Sequence, residues 1–332
     1  RPILLLSLLG FGLDYLVLAV APTIGWLFLA RIIAGFFGAS FTTGAAYIAD
    51  VSSAEKRAQN FGLLGAAFGL GFIIGPVTGG LLGEIGPRVP FYAAALVTFL
   101  NLTYGYFVLP ESLTKENRRE FEWSRANPLG ALLALKRYPS VAGLIGALTF
   151  IYLASHAIQG TWTYFSMEKF NWSESMVGYS LGLVGIMSAL VQGLLIRVII
   201  PKIGEYNTMI IGIIFNICGC LLFSMASEGW MLLCFIIPYS LGGIAGPAIQ
   251  GILSNQIPAN EQGQLQGALT SMMAATGIIG PLMMTSIFAY FTAENAPVYF
   301  PGAPFVTGAV LVAICLFLIL RKGSKYTTGN PI

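Results

Sequence analysis

The chain has 332 residues, of which 9% are charged and 56% hydrophobic, with a mean hydropathy of +0.78. An ordinary globular domain carries about 25% charged residues, so this surface is too poor in charge to keep a body of such size in water. A soluble enzyme and a disordered chain are excluded. A formal net charge of +3 excludes a nucleic-acid partner as well, because it cannot supply the basic field that phosphate binding needs. What remains is an all-α, polytopic helical bundle whose first partner is the lipid bilayer.

About 20 apolar residues cross a hydrocarbon core about 30 Å thick. Ten spans follow, at roughly 3–21, 23–48, 60–83, 89–109, 139–165, 176–200, 206–226, 230–253, 264–290 and 303–320. Their continuously apolar character excludes a β-barrel, which alternates. Residues 1–109 form an N-terminal helical half, 110–138 a charged linker, 139–320 a C-terminal helical half and 321–332 a tail. Alternate loops and ends hold 14 Lys and Arg against 2 in the other set, with Arg31 left over inside a span. Basic loops stay cytoplasmic, which predicts both visible ends and the linker on that side. The four cysteines, Cys218, Cys220, Cys234 and Cys315, lie in apolar runs and suggest neither a disulfide framework nor a metal site. No phosphate loop or catalytic triad is present, so no cofactor is expected.

The first two spans carry charge where charge is costly: at least about 2.5–3.5 kcal/mol at a bilayer centre. Asp14 lies midway along the first and Arg31 in the second. The hairpin turns near Pro22, so at 1.5 Å rise per residue they sit roughly 12 and 13 Å below its outer end, at one depth. Two readings are open: a proton-titrating carboxylate with Arg31 or a substrate as electrostatic counterpart, or a static ion pair pinning two helices. Low dielectric favours a neutral carboxyl and a nearby guanidinium a charged one, so movement of the cation would swing such a group. Arg31, Gly35, Gly38 and Thr42 share one helix face, where small residues let a neighbouring backbone come close. At the inner end, Asp50 and Arg57 bracket a short loop and suit either a salt-bridged cytoplasmic gate or a merely solvated turn.

The third span reads G-x-x-x-G-P-x-x-G-G from Gly71 through Gly75, Pro76 and Gly79 to Gly80. Proline removes a backbone hydrogen bond and kinks the helix, and glycines open a close-packing groove. The fifth span has a polar stripe, Tyr152, His156, Gln159 and Thr163, with Trp162 adjacent. Ser188 and Gln192 follow on the sixth, Asn216 on the seventh and Gln250 on the eighth. Polar side chains in lipid face the interior, so these residues either line a wet substrate pathway or act as hydrogen-bonding glue between helices. His156 has no second ligand type near it and does not suggest a metal site.

At an offset of 205 residues, 32–76 aligns without a gap on 237–281, with 10 of 45 pairs identical and a shared I-I-G-P at the end. Internal repeats are a hallmark of transporter folds. Spans two and three therefore match spans eight and nine, which makes the repeating unit six helices. Six spans follow the linker and four precede it, so two N-terminal helices are expected upstream.

These features resemble the major facilitator superfamily, specifically its twelve-span drug:proton antiporters. Arg31-x-x-x-Gly35 is similar to that family's fourth-helix motif, Gly71 to Gly80 to its fifth-helix antiporter motif, and Arg1-Pro2 to the tail of its basic loop signature. Closer still, L-L-L-S-L-L-G-F-G-L-D-Y at 4–15, Y-I-A-D at 47–50, P-E-S at 110–112 and G-Q-L-Q-G at 263–267 resemble tetracycline efflux antiporters. The resemblance implies a fold of six plus six helices with ten of the twelve present. It implies that Asp14 matches an essential helix-three aspartate, Arg31 a buried arginine and Asp50 an aspartate ending helix four. Gln192 then matches a helix-eight glutamine on the transport path, and Trp162 a helix-seven tryptophan. Two positions depart from that pattern: Ser188 stands where those pumps carry a histidine, and Asn216 where they carry an aspartate.

The expected function is secondary active transport, with protons and a small amphipathic organic molecule as partners, by alternating access. A facilitator or symporter of an endogenous metabolite is the alternative on the same scaffold. A non-transporting membrane protein is the alternative of another class, expected if the ten-span form is itself the mature product. The resemblance favours a bacterial inner membrane, and a monomer is the expected state.

Overall fold

The computed structural model describes residues 1–38, 43–44, 47–48, 51, 54–112, 139–256 and 262–321. The described residues contain helices and no strand. They are α1 (Pro2–Val20), α2 (Ile24–Phe37), α3 (Ala54–Ile85), α4 (Val89–Val108), α5 (Pro139–Phe170), α6 (Glu174–Leu190), α7 (Ile196–Met225), α8 (Gly229–Leu241), α9 (Ala245–Asn255), α10 (Gln262–Thr292) and α11 (Ala303–Arg321). A π turn, Val191–Leu195, joins α6 to α7, and a 3-10 turn, Gly242–Ile244, joins α8 to α9.

Among the described residues, seven stretches are long and apolar enough to cross a membrane, and the 52-residue stretch Glu174–Met225 is one of them. A crossing takes about 20 residues, so this stretch holds two. Its break is at Gly204, with φ 79° and ψ 163°, between the predicted sixth and seventh spans. Only glycine occupies that backbone region readily. Helices are the only open-ended way to satisfy every backbone group in hydrocarbon. Phe36, Phe107, Ile278 and Leu282 are exposed, an apolar display that hydrocarbon tolerates better than water.

The chain forms two compact units, Arg1–Phe121 with Ser173–Gly182, and Glu122–Trp172 with Leu183–Ile332. In the first, α1 packs against both α2 and α4. Two glycines make this possible. A Cβ on Gly10 would overlap the Phe37 ring of α2, and one on Gly12 would lie 2.7 Å from the Phe99 ring of α4. Arg88 donates from Nη2 to the carbonyl of Ala21 at 2.9 Å, placing a cation at the negative end of α1. The start of α6 belongs to this unit because Gly178 lies on α3. A Cβ there would sit 2.5 Å from the Pro76 carbonyl oxygen.

In the second unit, α5 packs with α10 and α11, and α7 with α8, α9 and α11. Leu144, Leu148, Met209, Ile249, Leu253 and Val312 belong to its main apolar core. Beside it lies a knot of rings: Trp162 meets Phe223 at 5.0 Å and Phe305 at 6.3 Å, and Phe165 meets Phe305 at 4.8 Å, all edge-on. Edge-to-face pairs of this kind add roughly 0.5–1.5 kcal/mol each beyond area burial. Gly219 lets α8 approach α7, since a Cβ on it would lie 2.6 Å from Tyr239 Cα.

The break at Gly204 gives a direct test. Gly204→Ala is expected to cost about 1–3 kcal/mol for the forced backbone conformation, read as a lower thermal unfolding temperature in detergent. Gly146→Ala, in α5 with no atom within 4 Å of the added carbon, should leave it unchanged or raised, because alanine is the better helix former.

Candidate functional site

The α1–α2 hairpin brings Asp14 and Arg31 into contact. Arg31 Nη2 donates to Asp14 Oδ2 at 2.5 Å. The two partners are unequal: the Asp14 side chain is 2% exposed and that of Arg31 56%. The carboxylate is buried by the glycine-mediated closeness of α1 to its neighbours, while the guanidinium reaches it from an open side. Asp14 Oδ1 is buried without a hydrogen-bond partner among the described residues. An unsatisfied buried acceptor of this kind costs about 1–3 kcal/mol or more when charged. The site is thus incomplete at one oxygen, and a proton or an incoming donor would complete it.

The glycine–proline motif of α3 divides into two sets. A Cβ on Gly80 would lie 2.5 Å from the Glu174 carbonyl oxygen and 3.1 Å from Gly178 Cα. Pro76 contributes its carbonyl to the same contact with α6. Gly71, Gly75 and Gly79 have nothing within 4 Å of the corresponding position. The equivalent motif on α10 packs within the second unit: His156 lies against Gly280, and Gly160 of α5 has Pro281 Cα at 3.7 Å from its absent Cβ.

Apart from Trp162, the remaining predicted pathway residues lie in the second unit at three places. His156 of α5 is half-buried against α10, and Gln159, one turn further along α5, is exposed with Nε2 at 3.4 Å from Ser155 Oγ. Gln192 lies in the π turn, and its Nε2 is 3.5 Å from where a Cβ on Gly243 would be. Asn216 presses on the adjoining Gly242, its backbone nitrogen 2.9 Å from that glycine's absent Cβ. Gln192 and Asn216 therefore flank the two halves of one glycine pair, and Ser188 is half-buried a turn before the π turn. Gln250 of α9 and Tyr152 of α5 line one pocket of about 100 Å³. Trp162 is in none of these places; it is enclosed by the aromatic knot. Asp50 lies outside the described residues, and Arg57 falls in α3 where its side chain is not described. Among the described residues no cluster of His, Cys, Asp and Glu could hold a metal ion.

Sequence reasoning did not single out Gly242, Gly243 and Gly246. The available signal was the run G-G-I-A-G-P at 242–247, whose glycine and proline density parallels that at 75–80.

A profile described as Major Facilitator Superfamily matches residues 1–281 and 167–331. The class C tetracycline resistance protein of Escherichia coli is 38% identical over 324 residues, 98% of this chain and 80% of that protein. The class B tetracycline resistance protein of Escherichia coli is 34% identical over 99% of this chain and 82% of its own length. Among solved structures, the human organic anion transporter MFSD10 (TETRAN) superposes with a TM-score of 0.67 at 25% identity, covering 96% of this chain and 76% of that one.

Two measurements probe this geometry. Arg31→Met should destabilise by roughly 1–3 kcal/mol, because it strands a buried carboxylate, and the double variant Asp14→Asn/Arg31→Met should recover most of that loss. A thermal double-variant cycle reads the coupling. Separately, Gly80→Ala should cost about 1–3 kcal/mol by overpacking α3 against α6, whereas Gly75→Ala should be close to neutral.

Proposed function

The chain belongs to the major facilitator superfamily, on its tetracycline-resistance branch, and on that premise we propose that it exports small amphipathic organic molecules in exchange for protons. The observation that carries the reading is the buried Asp14 carboxylate with one oxygen on Arg31 and the other unpaired. Charged, the carboxylate holds Arg31. Protonated, it loses most of that attraction, and the guanidinium is free to face a substrate or another acceptor. One proton thus exchanges one electrostatic partner for another at fixed depth, which is the requirement for coupling ion and cargo on a rocking scaffold.

In this scheme Asp14 takes a proton from the outer side and releases it inside as cargo leaves, in a bacterial inner membrane. Gln192, Asn216, Gln250, His156 and Gln159 serve the cargo with hydrogen-bonding groups on the second unit. Gly80 and Pro76 provide the close α3–α6 approach, and Asp50 with Arg57 forms the inner gate. Trp162 acts through packing. Tetracycline-like or other multiring compounds are the cargo class that its curated relatives' names suggest.

One observation favours a second reading, a facilitator for an endogenous compound: the second unit offers Ser188 and Asn216, neither of which carries charge. Full-length protein in liposomes separates the two. An imposed inward proton gradient should drive concentrative tetracycline movement, and Asp14→Asn should abolish that driven movement while leaving tetracycline counterflow within about threefold. Movement indifferent to the gradient, and to Asp14→Asn, would establish the facilitator instead.

A further inference from the structure

The pocket between α5, α9 and α10 has a composition and size that specify an occupant. Its walls include Leu148, Ile249, Leu253 and Leu269, all members of the main apolar core of the second unit, so its shape is fixed by packing and is already formed without a ligand. Two of its lining residues carry polar groups, Tyr152 and Gln250. The Tyr152 hydroxyl has no hydrogen-bond partner among the described residues. It is not among the buried unpartnered atoms, so it is open to a ligand without first losing an internal bond. Gly246 completes the wall, and a Cβ placed on it meets nothing within 4 Å. A larger side chain at this position has room to occupy the space.

The volume limits what fits. Whole drug-sized ligands need about 300–1,000 Å³, whereas an apolar cavity of about 150 Å³ takes benzene. At about 100 Å³, open on the Gly246–Gln250 side, the pocket suits one six-membered ring with its rim outside. We propose that it is a subsite for a single ring of the cargo, with the Tyr152 hydroxyl donating to a carbonyl oxygen borne by that ring. The identity of the occupant as cargo rests on the export reading; the pocket's affinity for such a ring does not. Tyr152 is then a specificity-determining contact, and Gly246 sets the size of the group admitted.

Cyclohexanone, a six-membered ring with a carbonyl, is the probe. Full-length protein in nanodiscs is titrated with it and binding is read by saturation-transfer NMR, with benzene as the ring that lacks an acceptor. Saturable binding of cyclohexanone is expected. Gly246→Leu should abolish it by filling the space, with an unchanged circular-dichroism melt. Tyr152→Phe should weaken it roughly three- to tenfold, the worth of one hydrogen bond, and leave benzene unaffected. Binding to Gly246→Leu equal to that of the parent overturns the subsite. If Gly246→Leu melts early, the Tyr152→Phe comparison decides: equal weakening for cyclohexanone and benzene, or none, overturns the assignment. Probe binding that follows this pattern in a protein without proton-driven transport would keep the subsite and reject the export reading.

Discussion

A carboxylate in hydrocarbon must be neutralised or paired, and Asp14 is only half provided for. One oxygen accepts from Arg31 and the other has no partner among the described residues. The packing that buries it follows from Gly10 and Gly12, which let α1 sink between Phe37 and Phe99. Had either glycine carried a side chain, α1 would stand off from α2 or α4 and the carboxylate would be more accessible. The unequal exposure of the pair means that the acid is fixed in place while the base is the partner with room to move. Switching by protonation needs that division of roles, because a pair buried on both sides would be held by desolvation as firmly as by charge.

Glycine and proline define close approach throughout the chain. On α3 the carbonyl of Pro76 and the bare faces of Gly80 and Gly178 bring two backbones together; on α10 Gly280 and Pro281 receive His156 and Gly160. The two I-I-G-P runs are thus equivalent in sequence and each forms a helix surface without obstruction, but the elements laid on them differ in kind. In the second unit the π turn at Val191–Leu195 and the 3-10 turn at Gly242–Ile244 interrupt regular helices where Gln192 and Asn216 approach the glycine pair. Non-α turns leave backbone groups off the regular pattern, and the Gln192 amide, with both donors and acceptors, is suited to such a place.

The fold was largely legible because lipid imposes one rule, continuous apolarity over a crossing, that a linear reading can follow. The shared depth of Asp14 and Arg31 was legible too, since a hairpin about Pro22 fixes depth by counting. Direction around the helix axis was not. A helix apolar on nearly all sides gives no periodicity to show which face is buried, so Trp162 reads as a neighbour of Gln159 although its ring joins Phe223 and Phe305. The density of glycines at 71–80 was plain, but a residue without a side chain says nothing about what lies opposite it; only the structure separates Gly80 from Gly75. A pocket built from α5, α9 and α10 depends on residues about 100 apart in sequence and has no local signature.

The empty space in front of Gly246 has an evolutionary consequence. Most changes inside a packed bundle are screened first by whether the chain still folds. At this position an added methyl group meets nothing within 4 Å, so folding imposes little filter, and selection acts chiefly through what the adjoining hollow still accommodates. A single codon there can alter the range of compounds handled while the rest of the scaffold goes untouched.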